Sequence, residues 1–257
     1  MEEDEEQQET IDTKYLIQEK KGNIKTSDVY LVKMANSDKI YAAKVFKENS
    51  KYFDKEVDIL NYLKPINNPY MINIIDARIG LIKRKGHPET KKQILILEYA
   101  SKGELFDYIY YPSKGLSERH AKVIFLKILK GVQNFHEAGI CNRDIKSQNI
   151  LVDEDFKPKI CDFGFADFNS TDLKEFLGTE KYAAPEMFCK KPYGGIKADI
   201  FSLGVLLLTL TTCKFGFYKA IPLDPYYNLI FEKHYLSYWK KLGSFTNDMS
   251  EDLKNLY

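Results

Sequence analysis

The stretch CNRDIKSQNILVD, residues 141–153, decides how the rest of the chain is read. Its polar residues Asn142, Arg143, Asp144, Lys146 and Asn149 run directly into Ile150, Leu151 and Val152, a run that predicts a buried β-strand. Buried polar groups cost free energy unless they are paired, so a polar cluster pressed against a core strand marks chemistry more often than packing.

Outward from this stretch, ILVD, a turn through EDFKP and the segment KICDFG predict a short hairpin. A hairpin folds its ends together, so Asn149 and Asp162 are expected to face one another. Oxygen ligands of this kind suit Mg²⁺, which is held by one or two protein oxygens plus phosphate and water. Asp144 stands on the same loop as an acid–base group. Further back, Lys44 at the end of a strand and Glu56 on the following helix are placed to form an ion pair. A metal clamp, a cation for phosphate and an acid–base group are the parts of a phosphoryl-transfer site.

The chain has 257 residues, enough for a sizeable core in one large domain or two lobes. A net charge of +1 gives no whole-chain argument for nucleic acid or membrane binding. Cys141, Cys161, Cys189 and Cys213 are dispersed, without a CxxC pair, and point to reduced thiols in a cytoplasmic setting. Residues 1–9, MEEDEEQQE, are acidic rather than basic-then-apolar and read as a solvated tail. The longest apolar run, IFSLGVLLLTL (200–210), is shorter than the ~20 residues a membrane span needs and reads as a buried core helix.

YLIQEK, DVYLVK and IYAAKVF predict an antiparallel meander. FDKEVDILNYL (53–63) has helical spacing, with Phe53, Val57, Leu60 and Leu63 on one face. INIIDARIGLI and QILILEYA read as two further strands joined by a solvated loop, KRKGHPETKK. A long helix is expected from the N-cap Ser117 to the stop at Gly139, with helix and loop thereafter. A small β-rich half before a larger helical half predicts an α+β fold of two lobes with a cleft between them.

These motifs together resemble the eukaryotic protein kinases of serine/threonine type. AAKVF matches the strand lysine at Lys44, and KEVDIL the helix glutamate at Glu56. NRDIKSQN matches the catalytic loop H-R-D-x-x-x-x-N except at its first position. DFG stands at Asp162–Gly164 and AAPE at Ala183–Glu186, and KADIFSLGV supplies Asp199 as a brace for the loop. GELFDYI and GTEKYAAPE resemble the calcium/calmodulin-dependent and energy-sensing branches. The resemblance implies a bilobal fold: a disordered acidic tail over 1–10, an N-lobe over 11–97, a hinge over 98–102 and a C-lobe over 103–257. ATP and Mg²⁺ are the implied cofactors, and serine or threonine in proteins the implied substrate. Lys44, held by Glu56, would contact the α- and β-phosphates, and Asn149 and Asp162 would hold the metal. Asp144 would orient the substrate hydroxyl and accept its proton, with Lys146 on the γ-phosphate and Thr179 supporting both. Gly22, Val29, Ala42, Leu97, Glu98, Ala100 and Leu151 would surround the nucleotide. Glu104, grouped with them, matches a carboxylate that meets a basic residue upstream of the target, which predicts a modest basic preference.

Departures from the pattern generate their own expectations. Residues 22–29, GNIKTSDV, keep only Gly22 and Val29 of the glycine-rich loop, with Ile24 and Ser27 replacing glycines, which predicts weaker ATP affinity. Glu175 stands where many relatives carry an activating phosphothreonine; pairing with Arg143 would make the enzyme competent without phosphorylation. Ser170 and Thr171 are further candidate phosphosites. Asn142 replaces a histidine that stacks beneath Phe163, and the smaller side chain is expected to loosen that column. The C-lobe reads as short of its last helices, leaving Glu186 without the family's arginine unless a partner chain completes it. The eroded loop, Asn142 and the short C-lobe also fit an alternative, a pseudokinase serving as a nucleotide-binding or scaffolding module.

Overall fold

The computed structural model describes residues 8–23, 26–47, 50–111, 115–168, 171–246 and 249–256. The chain divides into two compact units, Met1–Asn67 with Ile72–Tyr99, and Asn68–Met71 with Ala100–Tyr257.

In the first unit, β-branched and aromatic residues are frequent in the strands. The strands are β1 (Thr10–Ile11), β2 (Tyr15–Asn23), β3 (Ser27–Met34), β4 (Ile40–Phe46), β5 (Ile74–Lys83) and β6 (Thr90–Glu98). They close into a barrel of order β1-β2-β3-β4-β6-β5, all neighbours antiparallel. Ile11, Tyr15, Val32, Ala43, Ile94 and Ile96 fill its interior. Residues 8–10 depart from the expected tail. The Glu9 carbonyl accepts the Ile17 N–H (2.9 Å), the Glu9 carboxylate accepts the Lys85 N–H (3.0 Å), and Thr10 and Ile11 pair with both β2 and β5. Residues 1–7 of that tail lie outside the described residues. The solvated loop is also shorter than expected, because β5 runs through Lys83 and β6 starts at Thr90.

Helix α1 (Lys51–Leu63) starts at Ser50, whose hydroxyl accepts the Tyr52 N–H at 3.3 Å. Its buried stripe is Phe53, Glu56, Ile59, Leu60 and Leu63, with Ile59 rather than Val57 completing the face. A carboxylate on a core-facing stripe is tolerated only with a partner, and Glu56 has one.

The second unit holds α2 (Leu105–Tyr110), α3 (Glu118–Glu137), the hairpin β7 (Ile150–Val152) and β8 (Pro158–Ile160), α4 (Gly195–Thr212), α5 (Tyr227–Phe231), α6 (Tyr235–Leu242) and α7 (Glu251–Leu256). Helix α3 runs between the expected signals: the Ser117 hydroxyl accepts the His120 N–H, and Gly139 takes the left-handed φ of 76° that ends it. Helix α4 is apolar enough over its 18 residues to cross a membrane by length and composition, but 72 % of it is buried inside the protein. It is the core around which the unit is built. Helices α6 and α7 pack on it through Leu208, Tyr238, Leu242 and Met249, with Leu253 against them.

Residues 68–71 belong here and not with the N-terminal lobe to which they were expected to belong. Asn68 donates to the carbonyl of Lys130 and the side chain of Asn134 on α3, while the Tyr70 carbonyl accepts the Ile160 N–H at 2.8 Å.

The closing strand gives a direct test. Ile11 is fully buried, so Ile11→Ala is expected to cost about 2–5 kcal/mol, the range for emptying a core position. A lowered thermal midpoint for that variant checks this; a solvated tail would leave the midpoint unchanged.

Candidate active site

The catalytic loop leaves α3 through Ile140 and turns back over the buried start of α4. Asp199, fully buried in the first turns of α4, accepts the backbone N–H groups of Asn142 (2.7 Å) and Arg143 (2.8 Å) and hydrogen-bonds His136 Nε2 (2.9 Å). Arg143 has a φ of 67°, a left-handed conformation that is held by this anchorage.

Asp144 follows with 5 % exposure. Its Oδ2 accepts Lys146 Nζ at 2.6 Å and Asn149 Nδ2 at 3.0 Å, and its Oδ1 accepts the Thr179 hydroxyl at 2.7 Å. Lys146 Nζ also reaches Thr179 Oγ1 at 2.9 Å. Burial pushes the Asp144 carboxyl above its ordinary range, against the lowering pull of Lys146 and Thr179. Asp144, Lys146, Asn149 and Thr179 are thus brought together as their spacing and family resemblance imply.

Asn142 is 1 % exposed, and both ends of its amide are used. Nδ2 donates to the Asp162 carbonyl at 3.1 Å and Oδ1 accepts the Asp144 N–H at 3.1 Å. Asn142 thereby ties the DFG segment to Asp144 through its amide. Phe163 is fully buried and meets Phe135 edge-on, with centroids 5.7 Å apart.

The Arg143 guanidinium corrects a second expectation. Nε donates to the Phe165 carbonyl at 2.7 Å, and NH2 pairs with Asp167 Oδ2 at 3.4 Å. Glu175 is exposed and, among the described residues, forms no ion pair with Arg143; its backbone carbonyl accepts the Tyr193 hydroxyl at 2.9 Å. Gly178 makes the activation segment fit: at φ 114°, a Cβ there would sit 2.3 Å from the Arg143 carbonyl oxygen. Ser170 lies outside the described residues.

The hairpin folds as its turn predicts. The Cys161 N–H donates to the Asn149 carbonyl at 2.9 Å, which sets Asp162 one residue beyond. Asp162 adopts φ 62°, and its Oδ1 accepts the Gly164 N–H at 3.3 Å. Asn149 spends its amide nitrogen on Asp144, so its amide oxygen is what it offers a cation. With the Asp162 carboxylate, this hard-oxygen donor set fits Mg²⁺. No group of three or more His, Cys, Asp or Glu gathers among the described residues, so phosphate and water would complete the coordination.

In the first unit, Lys44 Nζ lies 3.0 and 2.7 Å from the two oxygens of Glu56. The Lys44 and Glu56 side chains are 9 % and 1 % exposed, a buried pair in which removing either partner would leave the other charge uncompensated. Val29 pairs with Lys44 across β3–β4 and Ala42 with Leu97 across β4–β6, and all three apolar side chains remain partly exposed. The Glu98 carboxylate accepts both the backbone and amide N–H of Asn73. Gly22 pairs with Val29, and a Cβ there would meet nothing closer than 4.0 Å. Ser27 is no loop residue: it opens β3, is fully buried, and its hydroxyl has no hydrogen-bond partner among the described residues. Ile24 lies outside the described residues.

In the second unit, Ala100 is buried and Leu151 partly exposed. Glu104 bridges Leu151, and burial raises its carboxyl, with Asp107 adding to the shift and Lys146 opposing it. Glu186 is partly exposed and has no ion pair among the described residues.

Three contributors escaped the sequence reading. Asp167 follows Asp162 by five residues, with nothing in its spacing to name Arg143 as its partner. His136 on α3 hydrogen-bonds Asp199, 63 residues further on, a contact that no local spacing shows. Tyr182 caps Ser147 of the loop, its hydroxyl 3.1 Å from Ser147 Oγ; only its position after GTEK hinted at this.

Comparison with known proteins gives a match of residues 15–257 to the family model for the protein kinase domain. Human NUAK family SNF1-like kinase 1 is 34 % identical over 198 residues, covering 76 % of this chain and 26 % of that protein. The probable serine/threonine-protein kinase MARK-B of Dictyostelium discoideum is 35 % identical over 204 residues, covering 77 % of this chain and 27 % of that protein. The chain spans about a quarter of the length of these relatives.

Truncating Asn142 leaves the Asp144 N–H and the Asp162 carbonyl without their partner, at roughly 1–3 kcal/mol for each buried group. Asn142→Ala is therefore expected to destabilise the protein by about 2 kcal/mol or more, read as a shift of the urea midpoint at constant slope.

Proposed function

The chain belongs to the protein kinase domain family, and on that premise we propose that it transfers the γ-phosphoryl group of ATP to serine or threonine hydroxyls of proteins. The observation that carries this reading is the occupancy of Asp144. A carboxylate offers about four acceptor sites. Lys146 and Asn149 take those on Oδ2 and Thr179 takes one on Oδ1, which leaves Oδ1 able to accept a substrate hydroxyl. A hydroxyl bound there would be aligned for transfer and would lose its proton to Asp144.

The roles of the other residues follow from their surroundings. Lys44, fixed by Glu56, would neutralise the α- and β-phosphates. Lys146, steered by Asp144 and Thr179, would steady the γ-phosphate. Asn149 and Asp162 would hold Mg²⁺, which when bound supplies positive charge to the phosphoryl oxygens. Partly exposed Val29, Ala42 and Leu97 of the first unit offer apolar surface to the adenine. The names of the relatives above, both kinases, support the assignment. The non-catalytic alternative is not favoured, since Lys44, Glu56, Asp144, Asn149 and Asp162 are all present, with Lys44 bonded to Glu56 and Asn149 to Asp144.

Finer features belong to the same proposal. Arg143, whose side chain is 4 % exposed, already has Asp167 as its counter-ion, which supports activity without phosphorylation of the activation segment. Half-buried Glu104 supports a modest preference for a basic residue upstream of the target. Glu186 offers a seat for a cation from a partner chain. The four free cysteines fit a reducing, cytoplasmic setting.

Phosphatase-treated protein is expected to transfer ³²P from ATP and Mg²⁺ to a serine peptide carrying an upstream arginine. Asp144→Asn should abolish transfer while ATP binding, read by calorimetry, persists. Burial penalises the charge that this substitution removes, so its thermal midpoint should stay level or rise. Transfer undiminished in Asp144→Asn would overturn the assignment.

The raised carboxyl of Asp144 sets the acid limb of the pH profile. The residue acts only when ionised, so activity should fall as pH drops through a value above the ordinary aspartate range of ~3.9. A kcat profile across pH 4–8 measures it.

A further inference from the structure

A cavity of about 450 Å³ opens on the second unit, between the segment after Thr179 and the turns that follow α4. Three lysines, Lys181, Lys214 and Lys241, line it together with aromatic rings that include Phe215, Tyr218 and Tyr226, and no carboxylate is in its wall. Its size falls within the range of ligand-binding clefts. Glu104 is not among its walls either, so its recognition chemistry is separate from that of the proposed basic preference.

Rings fix two of the ammonium groups, those of Lys181 and Lys241, without neutralising them. Lys181 Nζ lies 4.5 Å from the Phe215 centroid and 5.5 Å from that of Tyr218. Lys241 Nζ lies 4.4 Å from the Tyr226 centroid and donates to the Pro225 carbonyl at 3.2 Å. Such contacts orient a cation while leaving its charge available. Neither lysine has a carboxylate partner among the described residues. The acidic groups close to the cavity in sequence are already engaged. Glu180 pairs with Lys219 at 2.8 Å. Asp224 accepts the backbone N–H groups of Tyr218, Lys219, Tyr226 and Tyr227, which hold its carboxyl below the ordinary range despite burial.

The cavity is also tied to the catalytic loop. Its Phe215 ring meets Tyr182 edge-on at 5.5 Å, and the Tyr182 hydroxyl bonds Ser147. Lys181 follows Thr179 by two residues, a backbone span of at most roughly 7 Å, and Thr179 touches Asp144. A peptide whose hydroxyl rested on Asp144 would therefore have a positive, aromatic-walled site within reach of its neighbouring residues.

We infer that this cavity takes an acidic side chain, aspartate or glutamate, carried by the protein substrate within a few residues of its target hydroxyl. The inference rests on the kinase reading above and adds to it a substrate feature. A carboxylate would enter between Lys181 and Lys241, and the rings would cover the aliphatic part of the side chain.

The test uses two fluorescent peptides with alanine at the target position, one carrying Asp and Glu around it and the other Asn and Gln. Binding to the whole protein is read by anisotropy. The acidic peptide should bind about tenfold tighter at low salt, two partly screened ion pairs' worth. That advantage should shrink as salt rises, and should disappear in Lys181→Glu/Lys241→Glu. Equal affinity for the two peptides, or an acidic preference that survives the double substitution, overturns the inference. Should the double variant fold poorly, Lys241→Glu alone and the salt dependence of the wild type decide the same question. Serine versions of both peptides separate the two readings. Acidic preference in binding without any phosphate transfer removes the kinase assignment and keeps the cavity. Transfer to both peptides at equal rates, with equal binding, does the reverse.

Discussion

The carboxylate of Asp199 sits fully buried at the start of α4, where it accepts two consecutive backbone N–H groups of the catalytic loop and hydrogen-bonds His136 on α3. A charge stripped of water costs several kcal/mol unless such donors replace it. Asp199 and the loop therefore stabilise each other and neither is stable in this place alone. The two N–H groups belong to Asn142 and Arg143, and fixing them leaves Asp144 a single backbone direction. From there the geometry propagates: Asp144 collects Lys146, Asn149 and Thr179, and Thr179 pins the activation segment at the one point where Gly178 lets it pass the loop.

This dependence explains a polar cluster inside a core. Arg143 and Asp162 both adopt left-handed backbone conformations, which cost on the order of 1–3 kcal/mol each. The offset comes from bonds that only this arrangement makes. Arg143 reaches the Phe165 carbonyl and Asp167, and the Asp162 carbonyl receives the amide of Asn142. Asn142 shows the exchange most clearly. A residue without a ring forgoes stacking area under Phe163, but its amide has a donor and an acceptor, and both find partners on the two segments that carry the acidic groups. Phe163 meanwhile rests against Phe135.

Much of this was legible in the sequence because it follows from local rules. The alternation of the strands, the caps at Ser117 and Gly139, and the hairpin that brings Asn149 beside Asp162 each depend on a few adjacent residues. Lys44 and Glu56 were legible for a different reason: a charged residue on an otherwise apolar helix face must have a partner, and the neighbouring strand carried one. The rest depends on contacts distant in sequence. A two-residue strand such as Thr10–Ile11 has too few positions to show a period, and it exists because β2 and β5 leave edges for it. Residues 67–70, NNPY, carry a turn signal that ends the helix before them, but which unit residues 68–71 join is decided by Asn134 and Ile160. Glu175 was the plausible partner for Arg143 by family position, but Asp167 lies on the strand-like segment that bridges Cys141, two residues before Arg143, and so meets it first.

Burial also sets the balance between stability and chemistry at Asp144. Its carboxyl is shifted upward by desolvation, so the folded protein holds that proton more firmly than the unfolded chain does. Its contribution to stability is then fully present below the ordinary aspartate range and is lost as pH rises through the raised folded value. Where Asp144 is ionised, the folded state carries the cost. The loop tolerates this charge because Lys146 and the Thr179 hydroxyl lower the shift that burial alone would impose. With Asn149 they fill three of the acceptor sites and leave one on Oδ1 open among the described residues. One set of bonds thus limits the energetic cost of a buried base and determines which of its lone pairs can react, so a substitution that relieves the cost also removes the geometry that makes the carboxylate useful.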